Sequence, residues 1–206
     1  MLTIINYGLG NINSFSNILH KLNVPFKIAS QEKDLRDSTK LILPGVGSFD
    51  WALSKLNETN MRHTLDELVL EKKCPVLGIC VGMQMMAKNS EEGEMKGLGW
   101  INASVKKFKP KSNDQNLLLP HMGWNNVKVS AENKLFENIT LPEFYFLHSY
   151  YMLPNMEDGH EISITNYGIE FVSSIIVNNI HGVQFHPEKS HKFGMNILKN
   201  FSELRC

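Results

Sequence analysis

The sequence predicts an α/β fold with a mostly parallel sheet, and three features of the chain indicate it. Through residue 88, short apolar segments alternate with stretches whose apolar residues recur at helical spacing. Such alternation is typical of parallel βαβ units with right-handed crossovers. Beyond residue 90, apolar segments of strand length follow one another, so we expect an added β-rich section. A length of 206 residues suits a single domain, which we expect to span residues 1–206.

The first half of the chain supplies four predicted strands and three predicted helices. We expect strands at residues 2–6, 25–29 and 41–43 and in the apolar run that starts at Val76. The third strand is expected to end at the Pro-Gly-Val-Gly sequence of residues 44–47. Helices are predicted by apolar stripes within residues 12–22 and 61–69, and by the helix-forming stretch 83–88.

The second half is expected to be rich in strands. They are predicted at residues 103–108, 125–129, 144–148, 161–165, 171–177 and 180–185. The dipeptide Asn178-Asn179 favours a hairpin turn between the last two of them. Residues 90–93 and 109–114 are polar and predict solvated loops, whereas an apolar stripe within residues 193–201 predicts a final helix.

Composition excludes several classes of protein. The net charge is zero, which argues against a surface for nucleic acid or anionic lipid. No apolar run approaches the roughly 18 residues that a membrane span needs, and the first residues do not resemble a signal peptide. Three cysteines suit a reducing cytoplasm, where we expect the protein to lie. No spacing of cysteine and histidine suggests a metal site, and no organic cofactor is expected.

Cys80 stands where a predicted strand meets a predicted helix. It is flanked by Gly78 and Gly82, the G-x-nucleophile-x-G spacing of a nucleophile elbow. The glycines would allow a sharp turn, and the start of the helix would favour the thiolate. The alternative is an inert buried thiol, which is the common state of a lone cysteine. These local features leave the two alternatives evenly balanced.

A histidine and a glutamate near the end of the chain favour a catalytic role for Cys80. His186 and Glu188 follow the last predicted strand, and alternate residues of an extended chain point to the same side. Pro187 favours the extended conformation for His186. A carboxylate that orients a histidine beside a cysteine gives the nucleophile, base and orienting group of a catalytic triad. We therefore predict Cys80, His186 and Glu188 as catalytic residues.

These segments resemble the class I, triad-type glutamine amidotransferases. Residues 78–84 and 182–188 match the two signatures of that family, and residues 44–47 are similar to its oxyanion strand. The resemblance implies a flavodoxin-like core whose mixed, mostly parallel sheet carries helices on both faces. It also implies an oxyanion hole formed by backbone N–H groups near Val46 and at Val81.

The resemblance narrows to the glutaminase subunits of imidazole glycerol phosphate synthases. Residues 7–11, 120–125 and 146–151 carry it, and it covers essentially the whole chain. It implies that the chain hydrolyses L-glutamine and passes ammonia to a (β/α)8-barrel cyclase in a heterodimer of histidine biosynthesis. By the same resemblance, the substrate pocket would be lined by Gly47, Gln84, Ser149 and Tyr150. The partner would face Asn11, Asn13, Met122 and Trp124.

Three alternatives stay open. Residues 99–101 and 189–194 look more like a paralogous branch that supplies ammonia to a sugar amidotransferase in surface-polysaccharide synthesis. A second hypothesis is a different cysteine hydrolase on the same fold. A third is a scaffold protein without catalytic activity. Gln84 argues against the other hydrolase, and the complete triad argues against the scaffold. Gly45 and Gly47 would make the oxyanion strand conformationally permissive, so we expect low activity until the partner binds.

Overall fold

The computed structural model describes residues 1–109, 117–129 and 133–204. The described residues form twelve strands: β1 Leu2–Ile5, β2 Phe26–Ala29, β3 Lys40–Gly45, β4 Val76–Cys80, β5 Asn89–Ser90, β6 Ala103–Lys107, β7 His121–Asn126, β8 Glu143–His148, β9 Tyr150–Pro154, β10 Glu161–Tyr167, β11 Ile169–Val177 and β12 Ile180–Val183. They also form five α-helices: α1 Ile12–Lys21, α2 Phe49–Glu58, α3 Arg62–Asp66, α4 Val81–Met85 and α5 His191–Glu203. Helix α3 continues as a π-helical turn, Glu67–Glu71.

The central sheet has seven strands in the order β10-β11-β12-β4-β3-β1-β2. The pairs from β12 to β2 are all parallel, whereas β10, β11 and β12 pair antiparallel at one edge. Strands β5, β6 and β9 form a three-stranded sheet, and β7 pairs with β8. The predicted α/β fold with a mixed, mostly parallel sheet and an added β-rich section is therefore confirmed.

The inner strands β1, β3 and β4 of the central sheet are buried along almost their whole length. Every residue of β1 and β4 is buried, as are five of the six residues of β3. Continuous burial is typical of a parallel strand covered on both faces. Strand β4 thus runs through the core and brings its last residue, Cys80, to the edge of the sheet where parallel strands end and where α/β folds place their ligands.

Several predicted boundaries in the first half are wrong. Strand β3 continues through Pro44 and Gly45, because the two residues pair with the end of β4. The helix after Cys80 is Val81–Met85 rather than 83–88. Helix α2 was not predicted, although its buried residues Phe49, Ala52, Leu53 and Leu56 have helical spacing.

The second half shows similar differences. Strand β7 covers residues 121–126 where 125–129 was expected, since it pairs with β8 from His121 to Asn126. Strand β9 was not predicted and pairs antiparallel with β6. The hairpin at Asn178-Asn179 is confirmed by the pairing of β11 with β12. The loop predicted at 109–114 falls, apart from its first residue, outside the described residues.

Within the described ranges, no helix combines the length and apolarity that crossing a bilayer requires.

Candidate active site

Cys80 lies at a strained turn between β4 and α4. Its backbone angles are φ 54° and ψ −113°, a combination that costs on the order of 1–3 kcal/mol for a residue with a side chain. This geometry is that of a nucleophile elbow, in which the turn presents the side chain to a cavity. The residue is only 3% exposed, and it lines the cavity described below. The predicted elbow at this position is therefore present in the structure.

The glycines of the elbow act by their lack of a side chain. A Cβ atom on Gly82 would lie 2.0 Å from the carbonyl oxygen of Leu43, and one on Gly45 would lie 2.1 Å from the backbone nitrogen of Gly82. The two glycines that flank Cys80 in the sequence, Gly78 and Gly82, both lack a positive φ, whereas Cys80 has one. The expectation that the flanking glycines make the turn through their conformational freedom is thus wrong. Gly45 and Gly82 instead allow β3 and the start of α4 to touch.

The same contact changes the interpretation of the oxyanion strand. Gly45 packs directly against Gly82 and pairs with Cys80 in the sheet, and both contacts restrict the movement of its peptide. Gly47, with φ +87° and only an ordinary contact to the Trp51 side chain, is the permissive residue of this segment. Any rearrangement between Gly45 and Gly47 must therefore take place on the Gly47 side, around Val46.

His186 and Glu188 meet in the interior of the protein. His186 Nδ1 lies 2.9 Å from Glu188 Oε1, and the two side chains are 4% and 2% exposed. An extended chain was expected to bring these two side chains together. The structure instead forms a 3₁₀ turn at Pro187–Lys189, and the turn makes the contact. Ser190 Oγ donates to the carbonyl oxygen of His186 and fixes the start of this turn. The structure therefore brings the predicted base and orienting group together by another route.

The environment of His186 favours its charged form. Burial alone would lower the pKa of this histidine, but the Cys80 sulfur and the Glu188 carboxylate outweigh burial and raise the pKa well above its usual value. A hydrogen bond to Cys80 contributes to the rise. The arrangement therefore favours an imidazolium beside the Cys80 sulfur, so that a proton is held where a leaving group could receive it.

The cavity in front of Cys80 has a volume of about 300 Å³. That volume suits a small molecule. Six residues predicted for the oxyanion hole and the substrate pocket line it, together with Cys80 and His186. They are Val46, Gly47, Val81, Gln84, Ser149 and Tyr150.

Buried amides connect this pocket to the nucleophile. Gln84 Nε2 donates to the carbonyl oxygen of Tyr150 at 2.9 Å and to Gln184 Oε1 at 3.0 Å. Gln184 Nε2 in turn lies 3.7 Å from the Cys80 sulfur. Because both amide hydrogens of Gln84 are used, its carbonyl oxygen is the group left for a ligand. Gln184 is fully buried, and no feature of the sequence pointed to a role for it.

Two charged residues at the pocket were also missed. Glu92 lies in a segment that was predicted as a solvated loop, yet it lines the cavity and accepts a hydrogen bond from the backbone of Phe49. Partial burial raises its pKa, and the hydrogen bond from Phe49 opposes that rise. Lys189 lines the same cavity. A carboxylate and an ammonium at one pocket could bind the two charged ends of an amino acid.

The chain is similar in sequence to proteins of a known family. The family model "Glutamine amidotransferase class-I" matches residues 3–204. The chain belongs to this family. Its relatives include two proteins named "Imidazole glycerol phosphate synthase subunit HisH". The protein from Bdellovibrio bacteriovorus is 48% identical over 99% of this chain and 100% of its own length. The protein from Leptospira interrogans has the same identity and coverage.

A solved structure supports the fold of this amidotransferase. A crystal structure described as that of a glutamine amidotransferase matches 97% of this chain and 98% of its own, with a TM-score of 0.75. The sequence identity is 17%, so the likeness concerns the fold alone.

The residues predicted at the partner interface of the amidotransferase lie outside the pocket. Met122 and Trp124 project from β7 with exposed fractions of 65% and 42%. Trp124 stacks on His191, with ring centroids 5.3 Å apart. Asn11 and Asn13 are exposed at the start of α1, where the Asn11 side chain caps the helix by accepting from the backbone of Ser14. All four are therefore accessible to another protein.

Acid should destabilise the amidotransferase through its buried histidines. Burial lowers the pKa of His121 and His181 to about 4 and that of His148 to about 3. Between pH 6.5 and pH 4 the unfolded chain binds protons at these three sites that the folded chain excludes, so they lower the free energy of unfolding as the pH falls. His186, whose pKa is raised, acts in the opposite direction, but it is one group against three. We expect a loss on the order of 1 kcal/mol per histidine by pH 5.5.

Urea unfolding at pH 7.0 and pH 5.5 measures this loss directly. The variant His181→Leu removes one of the three groups, so the stability of the variant should fall less between the two pH values. The exposed residue His20 supplies the control His20→Gln, whose pH dependence should match the parent. A parent protein equally stable at both pH values would contradict the prediction.

Proposed function

We propose that the chain is the glutaminase subunit of an imidazole glycerol phosphate synthase, hydrolysing L-glutamine to glutamate and ammonia. The observation that carries the proposal is the meeting of Cys80, His186 and Glu188, with the first two facing a cavity of about 300 Å³. Membership in the glutamine amidotransferase family and 48% identity to subunits of that name support it.

The geometry suggests how the first half of the reaction proceeds. The Cys80 thiolate attacks the side-chain amide carbon of glutamine and forms a carbon–sulfur bond. The backbone N–H groups of Val46 and Val81 would take the negative charge that develops on the oxygen. His186 then gives its proton to the departing nitrogen, which leaves as ammonia when the carbon–nitrogen bond breaks. Glu188 holds the imidazole in the required orientation.

Hydrolysis of the thioester completes the cycle. His186, now neutral, takes a proton from water, and the oxygen of that water attacks the thioester carbon. The carbon–sulfur bond breaks, glutamate is released, and the thiolate and imidazolium are restored. At the other end of the substrate, the Glu92 carboxylate and the Gln84 carbonyl oxygen would bind the α-ammonium group, while Lys189 would bind the α-carboxylate.

The ammonia would pass to a (β/α)8-barrel cyclase that docks on this chain in the cytoplasm. Met122 and Trp124 form an exposed apolar surface on β7, and such a surface suits a protein partner. Asn11 and Asn13 would contribute polar contacts at the rim of the interface. In the competing hypothesis the same triad and pocket supply ammonia to a sugar amidotransferase through a paralogous barrel.

Partner-dependent activity tests the proposal. Glutamate release should rise by about 10-fold or more when the histidine-pathway cyclase and its phosphoribulosyl substrate are added to the chain. The physical reason is that Gly47 leaves the Val46 peptide free to change orientation, so a partner can complete the oxyanion hole. The cyclase without its substrate serves as the control.

The same assay separates the competing hypotheses. Stimulation by a paralogous barrel alone would move the protein to sugar modification. Equal rates for the isolated chain and the complex would contradict gating at Val46. Hydrolysis of peptides in preference to free glutamine would contradict the proposed function itself.

A further inference from the structure

A chain of three hydrogen bonds runs from strand β7 to the wall of the pocket. Asn125 Nδ2 lies 3.2 Å from His121 Nε2, and His121 Nδ1 lies 3.0 Å from His148 Nε2. His148 Nδ1 lies 2.8 Å from the backbone carbonyl oxygen of Tyr150. The mechanism above does not use either histidine. Both are nevertheless buried, with 2% and 6% of their surface exposed.

Only one arrangement of protons satisfies these three bonds with neutral rings. A carbonyl oxygen can only accept, so His148 Nδ1 carries the hydrogen and His148 Nε2 accepts. His121 must then donate through Nδ1 and accept through Nε2. Asn125 Nδ2 supplies that last hydrogen and uses its other one for the carbonyl oxygen of Asn166, 3.0 Å away. The tautomer of each histidine is therefore set by its neighbours.

Aromatic rings hold the pair in place and keep it uncharged. His121 is stacked between Phe146 and Tyr167, with centroid distances of 4.8 and 4.0 Å. His148 packs against Phe108 and Phe171 at 5.3 and 5.1 Å. Burial in this aromatic cluster lowers the pKa of both histidines. Two neutral histidines held in place by aromatic rings are suited to fixing the backbone by hydrogen bonds, and less suited to transferring protons.

The carbonyl oxygen at the end of the chain is shared with the pocket. It accepts from His148 Nδ1 and also from Gln84 Nε2, so the position of Tyr150 determines that of Gln84. His148 itself lines the cavity, and so do Ser149, Tyr150 and Gln84, whose positions depend on this carbonyl. A displacement of this carbonyl would therefore move three parts of the pocket wall. The Cys80 sulfur has other neighbours: it accepts from Gln184 Nε2, it is hydrogen-bonded to His186, and as a thiol it can donate to the Leu147 carbonyl oxygen 3.9 Å away.

We propose that His121 and His148 are positioning residues for the substrate, a neutral pair that holds the Ser149–Tyr150 backbone and Gln84 in the arrangement that binds glutamine. The inference rests on the proposed glutaminase function. His148 acts through the Tyr150 carbonyl, and His121 acts through His148 by fixing its tautomer. Loss of the pair should weaken recognition of glutamine more than it changes the reactivity of the thiol.

Two alkylating probes separate recognition from thiol reactivity. The electrophile 6-diazo-5-oxo-L-norleucine has the shape and charges of glutamine, whereas iodoacetamide has neither the α-ammonium nor the α-carboxylate. Mass spectrometry gives the second-order rate constant of each probe at Cys80. The ratio of the two constants measures how well the pocket recognises the shape and charges of glutamine. Asparagine can replace the Nδ1 donor of histidine, and glutamine reaches the Nε2 position instead. His148→Asn should therefore keep the bond to Tyr150, and His148→Gln should lose it.

We expect His148→Gln to lower the ratio about 10-fold, because one buried hydrogen bond is lost and the carbonyl is freed. His148→Asn should keep a ratio close to that of the parent, because the bond to Tyr150 is retained. His121→Phe keeps the stacking and removes both hydrogen bonds, so it should lower the ratio about 3-fold even if the His148 variants do not fold. His181→Gln, at another buried histidine, is the matched control and should keep the parent ratio.

Each of the remaining outcomes has a distinct meaning. An unchanged ratio in folded His148→Gln or in His121→Phe would overturn the inference and leave the proposed function standing. An equal fall in His181→Gln would also overturn it, since the effect would then be one of general stability. A parent chain that, in complex with the cyclase and its substrate, reacts no faster with the glutamine-shaped probe than with iodoacetamide would overturn the proposed function itself.

Discussion

Replacing Cys80 with alanine should reduce glutamine hydrolysis by about 10⁴-fold or more, while ammonia-dependent synthesis by the complex continues. The reason is that no other group described in the pocket can form the thioester, whereas the reaction of ammonia at the partner does not need this thiol. Glutamate release with glutamine as nitrogen donor measures the first activity. Product formation with saturating ammonium salt, in the presence of the cyclase, measures the second.

The chain supplies a matched control for this substitution. Cys74 is also buried and precedes the same strand, but its sulfur lies near the carbonyl oxygens of Ser38 and Pro75. Cys74→Ala should therefore retain glutamine hydrolysis. If Cys80→Ala also lost the ammonia-dependent reaction in a folded complex, Cys80 would have a role beyond ammonia release.

Replacing Gly82 with alanine should cost about 3 kcal/mol or more of the free energy of unfolding. The added Cβ would lie 2.0 Å from the Leu43 carbonyl oxygen. This oxygen belongs to the backbone of β3 and is fixed within the central sheet. The overlap therefore cannot be relieved by the rotation of a side chain. The nucleophile turn would have to move away from β3, and glutaminase activity should fall with stability. Urea unfolding of the purified variants measures the effect.

Gly159 serves as the control for Gly82. It has φ +67° and no atom within 4 Å of an added Cβ. Gly159→Ala should therefore cost only the backbone strain of about 1 kcal/mol. If the two alanine variants were equally stable, the close contact between β3 and α4 would not exist in solution.

The sequence predicted those elements whose signal is local. The apolar runs of β1, β3 and β4 and the turn at Asn178-Asn179 are visible in short windows, and the structure contains them. Strand β9 lies beside β6 through pairing between distant segments, which no local window reveals. The end of β3 was placed too early because Pro44 and Gly45 normally interrupt strands, whereas here their neighbours in β4 keep them paired.

The same contrast between local signals and long-range contacts applies to the residues of the candidate active site. Cys80, His186 and Glu188 could be predicted because the spacing of their motifs reflects the chemistry of a triad. Gln184 and His148 could not, since their value lies in bonds to residues far away in the chain. Glu92 was hidden by its polar neighbours, which favour a loop. The loop is there, but α2 holds it at the pocket through the backbone of Phe49.

The order of strands in the central sheet also has a consequence for how the protein is made. Strand β4, which carries Cys80, lies between β3 and β12, and β12 begins only at residue 180. A ribosome must therefore synthesise nearly the whole chain before β4 can acquire its second neighbour and before His186 exists. Contacts of such long sequence separation form late and slowly. A truncated or nascent chain would leave the backbone N–H and C=O groups along one edge of β4 unpaired, and such edges make incompletely folded chains prone to aggregation.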